Sequence, residues 1–222
     1  MKISLSLENS NSKDVTIMVD ALRASTTMIT ALENFQTIIP VKNIEDAEKL
    51  ASKYCAVLAG ERGGAAVKGF DTGNSPVEIQ NFKGEILVLT TTNGTRILEG
   101  LKSKALVGSF VNAESVAKKA LDIAENHIDV VMAGVNGRFA IEDFLGAGAI
   151  ISNLQDHALD EMALASVMAS QNKNWVNIAV KTSKSAQGLY ELGLGDDVDF
   201  CLKYNIYDTV PMYKNGKIKR NL

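Results

Sequence analysis

Four of the five arginines in this chain, Arg23, Arg62, Arg96 and Arg138, each follow a short apolar run by a few residues, in polar or glycine-containing turns. The exception is Arg220 in the C-terminal tail, and surface positive charge is otherwise carried by lysine. A guanidinium grips phosphate, sulfonate or carboxylate through paired N–H donors, so loop arginines of this kind point to capture of a small oxyanion. Loop ion pairs are the plainer reading, with Glu61 and Asp143 as partners. Carboxylates accompany the arginines. Asp20 ends an apolar run, a costly place for an unpartnered charge. Glu61, Asp71, Glu142 and Asp143 lie in other turns. A hard cation such as Mg²⁺ takes one or two carboxylates plus water and substrate oxygens, neutralises the substrate's charge and can activate water. Asp20 is the leading ligand candidate, with Glu142 and Asp143 as further ones; a helix N-cap is the competing role for Asp20. The candidate catalytic carboxylates are Asp20, Glu61 and Asp71, and residue type alone does not choose between Glu61 and Asp71 as general base.

The stretch from Glu85 to Arg96 supplies the wall such an anion needs. Ile86 to Leu89 is an apolar run of the kind a doubly buried strand requires. It passes into Thr90-Thr91-Thr92-Asn93-Gly94-Thr95-Arg96, and apolar spacing resumes at Ile97 as the start of a helix. Strand, polar loop and helix start together form the place where open α/β sheets bind ligands. Backbone N–H groups at a helix start favour anions, and glycine lets the backbone approach closely. The candidate binding residues here are Thr91, Thr92, Asn93, Gly94, Thr95 and Arg96. A capped Thr/Asn-rich turn is the bland alternative.

Familiar nucleophilic schemes do not fit. Cys55 and Arg62 are separated by six residues, one more than a cysteine phosphatase loop holds, and Cys55 sits at the wrong end of its strand. Leu22 stands where a haloacid-dehalogenase phosphatase needs its second aspartate. His127 and His157 have no Ser or Asp pattern around them, and no GxxxxGK[ST] loop exists.

The elements that must position these residues alternate. Apolar runs at Lys2–Leu7, Val15–Val19, Thr37–Val41, Cys55–Ala59, Ala105–Val107 and Val130–Ala133 read as strands. Between them lie helices, including Ile44–Lys53 capped by Asn43 and Ala113–Ala124 capped by Asn112. Residues 69–76 are a loop by composition; Gly146 and Gly148 predict a helix packed tightly on a neighbour. Helices are expected at 160–170, 183–192 and 198–204, with 175–180 helix or strand, and a hairpin at 210–218 turning at Asn215-Gly216. The expected fold is layered α/β/α with a largely parallel or mixed sheet, one unit spanning 1–222. Val19–Ala59 and Leu89–Ala133 share an order of elements at a spacing of about 70 residues, too long for a solenoid, and suggest duplicated halves near 15–75 and 85–150. If the strands ending at Asp20, Ala59, Leu89 and Ala133 are parallel neighbours, Arg23, Arg62, Arg96 and Asp20 line one cleft.

Hydrophobic content of 46% with 22% charged residues is that of a soluble globular protein, and a net charge of −3 offers no attraction to nucleic acid or membrane. The apolar runs are too short for a transmembrane helix, the N-terminus lacks a signal-peptide core, and two cysteines suit a reduced, cytoplasmic setting. A homodimer stays open.

Several segments together resemble the 2-phosphosulfolactate phosphatase family: Val19 to Thr27, Gly60-Glu61-Arg62, Gly69-Phe70-Asp71 with Gly73-Asn74-Ser75-Pro76, and Thr90 to Thr95. Glu142-Asp143-Phe144 with Ala147-Gly148, and Leu192-Gly193 with Asp197-Val198 and Cys201, extend the match over nearly the whole chain. It departs from the family's pattern at Val135 to Arg138. The resemblance implies an α/β fold with layered helices and Mg²⁺-dependent hydrolysis of a phosphate ester on a sulfonated three-carbon acid, as in coenzyme M biosynthesis. It adds Ser25, Asn74 and Ser75 to the substrate-binding candidates, beside Arg23, Arg62 and Arg138. A phosphatase of a different small phosphorylated acid and a non-catalytic binder of a small anionic metabolite are the alternatives, and Asp20 argues against the binder, since a pure anion binder gains nothing from a carboxylate in the pocket.

Overall fold

The computed structural model describes residues 1–220. In chain order these form β1 (Lys2–Leu7), β2 (Val15–Val19), α1 (Ala24–Ala31), β3 (Phe35–Val41), α2 (Ile44–Tyr54), β4 (Val57–Arg62), β5 (Ala65–Ala66), β6 (Gly84–Thr90), α3 (Gly94–Gly100) and β7 (Lys104–Gly108). Then follow α4 (Ala113–Ile123), β8 (His127–Met132), α5 (Ile141–Ile151), β9 (Ala158–Leu159), α6 (Glu161–Ser170), α7 (Lys173–Lys181), α8 (Lys184–Glu191), α9 (Gly195–Cys201), β10 (Pro211–Lys214) and β11 (Lys217–Arg220). The expected mixed α/β architecture is present. None of the described helices is long and apolar enough to cross a membrane.

The strands form one sheet in the order β5-β4-β6-β3-β11-β10-β7-β2-β8-β1-β9. β4, β6 and β3 are parallel neighbours, as are β7, β2, β8, β1 and β9. The C-terminal hairpin sits between these blocks. It turns at Asn215 and Gly216, both with positive φ, as an Asn-Gly turn requires. Three successive antiparallel pairings, β3 to β11, β11 to β10 and β10 to β7, leave the two blocks running in opposite senses. The expectation of four parallel neighbours ending at Asp20, Ala59, Leu89 and Ala133 therefore holds only within each block.

The order strand, helix, strand, helix, strand does run from β2 to β4 and again from β6 to β8. The segments are interleaved rather than separate: β6 lies between β4 and β3, and β2 between β7 and β8. A matched order of elements is not in itself a duplication. What the interleaving does is make β2 and β6 central and fully or largely buried, which suits their uninterrupted apolar runs. One core cluster joins Met18, Ala24 and Met28 of the β2–α1 segment to Ile38, Leu87, Leu89 and Leu98 of the other block. The helix starts meet there. A Cβ on Gly94 would stand 3.0 Å from Ala24 Cβ and 3.4 Å from Asp20 Oδ2, so any side chain there would press on α1 and glycine eases the close start of α3.

Some boundaries differ from the sequence reading for local reasons. Cys55 caps α2 in the left-handed region at φ 49°, so β4 starts at Val57. Asn43 and Asn112 do not cap α2 and α4 through their side chains; Asn112 Nδ2 instead donates to the Val107 and Thr209 carbonyls. Residues 175–180 are helical within α7, and α9 begins at Gly195, earlier than 198.

The glycines of α5 do serve close packing. A Cβ on Gly148 would fall 2.2 Å from the Ser166 carbonyl oxygen of α6, a backbone atom that cannot rotate away. Gly148→Ala is expected to cost about 3 kcal/mol, at the upper end for overpacking because two helices must part. The midpoint of urea unfolding measures it, and Gly188→Ala, which meets nothing within 4 Å, is the control.

Candidate active site

The ends of β2, β4 and β6 and the turn after β8 enclose a cleft of about 530 Å³, lined by residues that include Asp20, Arg23, Glu61, Arg62, Asn74, Thr91, Thr92, Asn93, Asn136 and Lys184. Two carboxylates hold its walls together. Glu61 Oε1 accepts from the Thr92 N–H and hydroxyl at 2.8 and 2.9 Å, and Oε2 accepts from the Gly64 N–H at 2.8 Å. Asp143 does the same on the other side, accepting from the Ala21 N–H at 2.8 Å and the Gly134 N–H at 2.9 Å. Each thus ties the end of a central strand to a neighbouring loop, and each has both oxygens engaged.

Asp20 differs. Its Oδ1 accepts from the Ala24 N–H at 3.2 Å, the helix-capping role weighed above, while Oδ2 makes no hydrogen bond among the described residues and faces Gly94. Burial, reinforced by the charges of Glu61 and Glu142, raises its pKa to about 7, against the pull of the Ala24 amide and Arg23. Burial raises Asp143 well above the carboxylate range as well, with Asp20 and Glu142 pushing the same way.

The arginines separate by partner. Arg62 lines the cleft and donates only to neutral oxygens, those of Glu61 and Lys42 carbonyls and the Thr90 hydroxyl, at 2.6 to 2.9 Å. Arg23 is also in the wall, but it is buried and paired at 2.5 Å with Asp197, its other nitrogen donating to the Gly64 carbonyl. The Leu22–Arg23 peptide bond is cis. Arg96 lies outside the lining, in an ion pair with Glu8. Arg138 is exposed and lines an adjoining cavity of about 680 Å³ with Glu142 and Phe139. The expected convergence of Arg23, Arg62, Arg96 and Asp20 on one cleft is therefore met by all but Arg96, which a carboxylate from the β1 end diverts.

The remaining candidates sort by exposure to the cleft. Thr91, Thr92, Asn93 and Asn74 line it. Ser25, Ser75 and Thr95 are buried and used internally: Ser25 Oγ accepts from the Asp20 N–H, Ser75 Oγ donates to Asp197, and the Thr95 hydroxyl meets that of Thr91. Asp71 is exposed, outside the cleft, and accepts from the Leu58 N–H at 2.8 Å. Cys201, buried near the cleft, has its thiol pushed up to about 12 by burial and is no nucleophile at neutral pH.

The sequence profile of the family described as 2-phosphosulpholactate phosphatase matches residues 2–216. The chain belongs to that family. A 2-phosphosulfolactate phosphatase of Methanothermobacter thermautotrophicus is 50% identical over 219 residues, covering 99% of this chain and 95% of its own. Proteins named probable 2-phosphosulfolactate phosphatase from Clostridium acetobutylicum and Thermotoga petrophila are 35% and 40% identical, over 98% and 90% of this chain and 100% and 89% of theirs. As a member of this phosphatase family, the chain is a phosphoric monoester hydrolase, and a phosphoester is its class of substrate.

Within this family member, sequence reasoning missed Asp197, Glu8, Asn136 and Lys184. Asp197 stood in the family match beside Val198 but was given no role in the site. Asn136-Gly137 carried a signal that was readable: it is an Asn-Gly pair, and both residues have positive φ in a tight turn closed by Val135 N–H to Arg138 O and its reciprocal at 3.0 Å.

Proposed function

We propose that this phosphatase hydrolyses 2-phospho-3-sulfolactate to 3-sulfolactate and phosphate with Mg²⁺ as cofactor. The observation that carries the reading is Asp20, a buried carboxylate with an unengaged oxygen, facing a cleft walled by Arg62 and Thr91 to Asn93. The names of the relatives supply the substrate.

The donor set fits Mg²⁺. Asp20 and Glu142 are buried carboxylates, and the charge of Glu142 is one of the causes that raise the proton affinity of Asp20, while Arg23, which could offset them, is neutralised by Asp197. Asp143 is committed to two amides, which leaves Asp20 with Glu142 to hold the cation. Among the described residues no three His, Cys, Asp or Glu side chains form a ready metal cage. That suits a hard ion that completes its shell with water and substrate phosphate. When bound, Mg²⁺ supplies charge neutralisation at the phosphoryl oxygens.

The protein's own part is positioning. Phosphoryl transfer passes through a loose transition state that asks little of a general base. This agrees with the state of the two candidate bases, Glu61 being saturated with hydrogen bonds and Asp71 lying outside the cleft. Arg62 is held by three neutral acceptors and so keeps its full charge for the phosphate. Thr92 and Asn93, fixed through Glu61, flank it. Water's oxygen bonds to phosphorus, the ester P–O bond breaks, and a proton from that water ends on the departing oxygen, so that sulfolactate leaves as the alcohol. A cytoplasmic setting is in keeping with two free cysteines.

Release of inorganic phosphate from 2-phospho-3-sulfolactate decides the proposal. Turnover is expected with Mg²⁺, falling to background with EDTA and returning with added Mg²⁺. Turnover undiminished by EDTA would remove the metal, and none under any condition would remove the substrate.

A further inference from the structure

Two cavities meet at one wall. Val135 and Asn136 of the tight turn, with Lys184 and Ser185 at the start of α8, line both the cleft and the adjoining cavity. Among the described residues Lys184 forms no ion pair, whereas two of the four loop arginines are neutralised, Arg23 by Asp197 and Arg96 by Glu8. A substrate bearing acidic groups besides its phosphate needs a second cation, and Arg62 stands with Asp20 on the phosphate side.

The wall carrying Lys184 is built for an anion. Ser183 Oγ caps α8 by accepting from the Ala186 N–H at 3.2 Å, which leaves the first N–H groups of the helix without intrahelical partners. The helix is anchored to the phosphate side through Gly64. A Cβ there would lie 3.2 Å from Leu192 and 3.7 Å from Leu189, and the Gly64 peptide is gripped by both Arg23 and Glu61. An independent feature in the same cleft points to a ligand. Asn74 is only 4% exposed, and its Oδ1 has no partner. A buried amide oxygen left unpaired is costly, and the amide can present either its oxygen or, turned over, its NH₂ to a bound molecule.

We propose that Lys184, with Ser185 and Asn136, forms the subsite for the substrate's sulfonate and so sets specificity for a sulfonated phosphoester. This rests on the phosphatase reading above. The carboxylate of such a substrate sits on the ester-bearing carbon, close to the phosphate. The sulfonate is one carbon further out, which suits the opposite wall. An ammonium is a compact charge with three rotatable donors, which can turn to meet a sulfonate's oxygens.

The test compares 2-phospho-3-sulfolactate with 2-phospholactate, which keeps the carboxylate and lacks the sulfonate. Lys184→Met is expected to raise KM for the sulfonated ester by about 10-fold or more, the loss of one charge-assisted contact, with kcat changed little. Its kcat/KM for 2-phospholactate should stay within about 2-fold of the parent. Lys184→Arg should recover part of the preference. Calorimetry with 3-sulfolactate and lactate gives a readout without turnover: the parent should bind sulfolactate more tightly, and Lys184→Met should erase the difference. Equal losses on both esters, no loss on either, or a parent that binds the two acids alike would overturn the subsite. A parent that binds sulfolactate selectively through Lys184 yet releases no phosphate would instead overturn the phosphatase reading.

Discussion

Replacing Asp20 by Asn is expected to lower kcat on the order of 10³-fold while making the metal-free protein more stable above neutral pH. The loss follows from the position of Asp20, which lines the cleft with Arg62 and Thr91 to Asn93 and has one oxygen without a hydrogen bond among the described residues. The gain follows from its surroundings. Burial and the neighbouring Glu61 and Glu142 raise its pKa from 3.8 to about 7 in the folded protein. A group whose folded pKa is raised contributes stability that is complete below its unfolded pKa and is lost as pH climbs through the folded one. Without metal, unfolding free energy should therefore decline between about pH 4 and pH 8, by at most roughly 4 kcal/mol from this carboxyl. Asn carries no charge to desolvate, so the variant should be flatter across that range. Urea unfolding at pH 5 and pH 8 in EDTA, repeated with Mg²⁺, makes the comparison. Added Mg²⁺ should stabilise the parent at pH 8 and the variant much less. Near-parental turnover by Asp20→Asn would take Asp20 out of the reaction, and lower stability at pH 8 would contradict the buried-charge account.

Asp197→Ala should be the most destabilising single change near the cleft, at about 3–5 kcal/mol. Arg23 and Asp197 have side chains only 3% and 2% exposed, and their ion pair is 2.5 Å long. The carboxylate also accepts from Ser75 Oγ at 2.6 Å. Removing it strands a buried guanidinium with the Gly64 carbonyl as its remaining partner, and strands the serine hydroxyl too. Replacing both partners, Arg23→Met with Asp197→Leu, removes the stranded charge and should recover much of the loss. The single change should lower Tm by roughly 10 °C in a chain of this length. An effect under about 1 kcal/mol would mean that the pair is solvated in solution, as exposed pairs are. Arg23 thus pins the loop that carries Gly64 to α9 and is structural as well as near the site.

Much of the positional logic was readable from local pattern. Asp20, Arg62, Thr91, Thr92 and Asn93 were placed at strand ends because apolar runs stop there and polar, glycine-containing turns begin, and these residues do line the cleft. The hairpin at Asn215-Gly216 was readable because only a few residues tolerate φ > 0 at both turn positions. The family motifs were readable for the same reason, since each is a short contiguous string.

What residue order alone determined was which side chains stand near the ends of strands. Which of them keep a free charge was decided by tertiary structure. Arg23 meets Asp197 across 174 residues, and Arg96 meets Glu8 across 88, so nothing in their neighbourhood distinguishes them from Arg62. Glu61 and Asp143 looked like chemistry because acidic loop residues often are. Folding brought the distant Thr92 amide to Glu61, whose other oxygen takes the nearby Gly64 amide, and brought the Ala21 and Gly134 amides to Asp143, so both oxygens of each were filled. The insertion of β10 and β11 between the parallel blocks was equally illegible, because a hairpin pairs with whichever edges the rest of the chain leaves open. Hydrophobic periodicity encodes the environment of a residue, whereas a partner is encoded only by the completed packing of the whole chain.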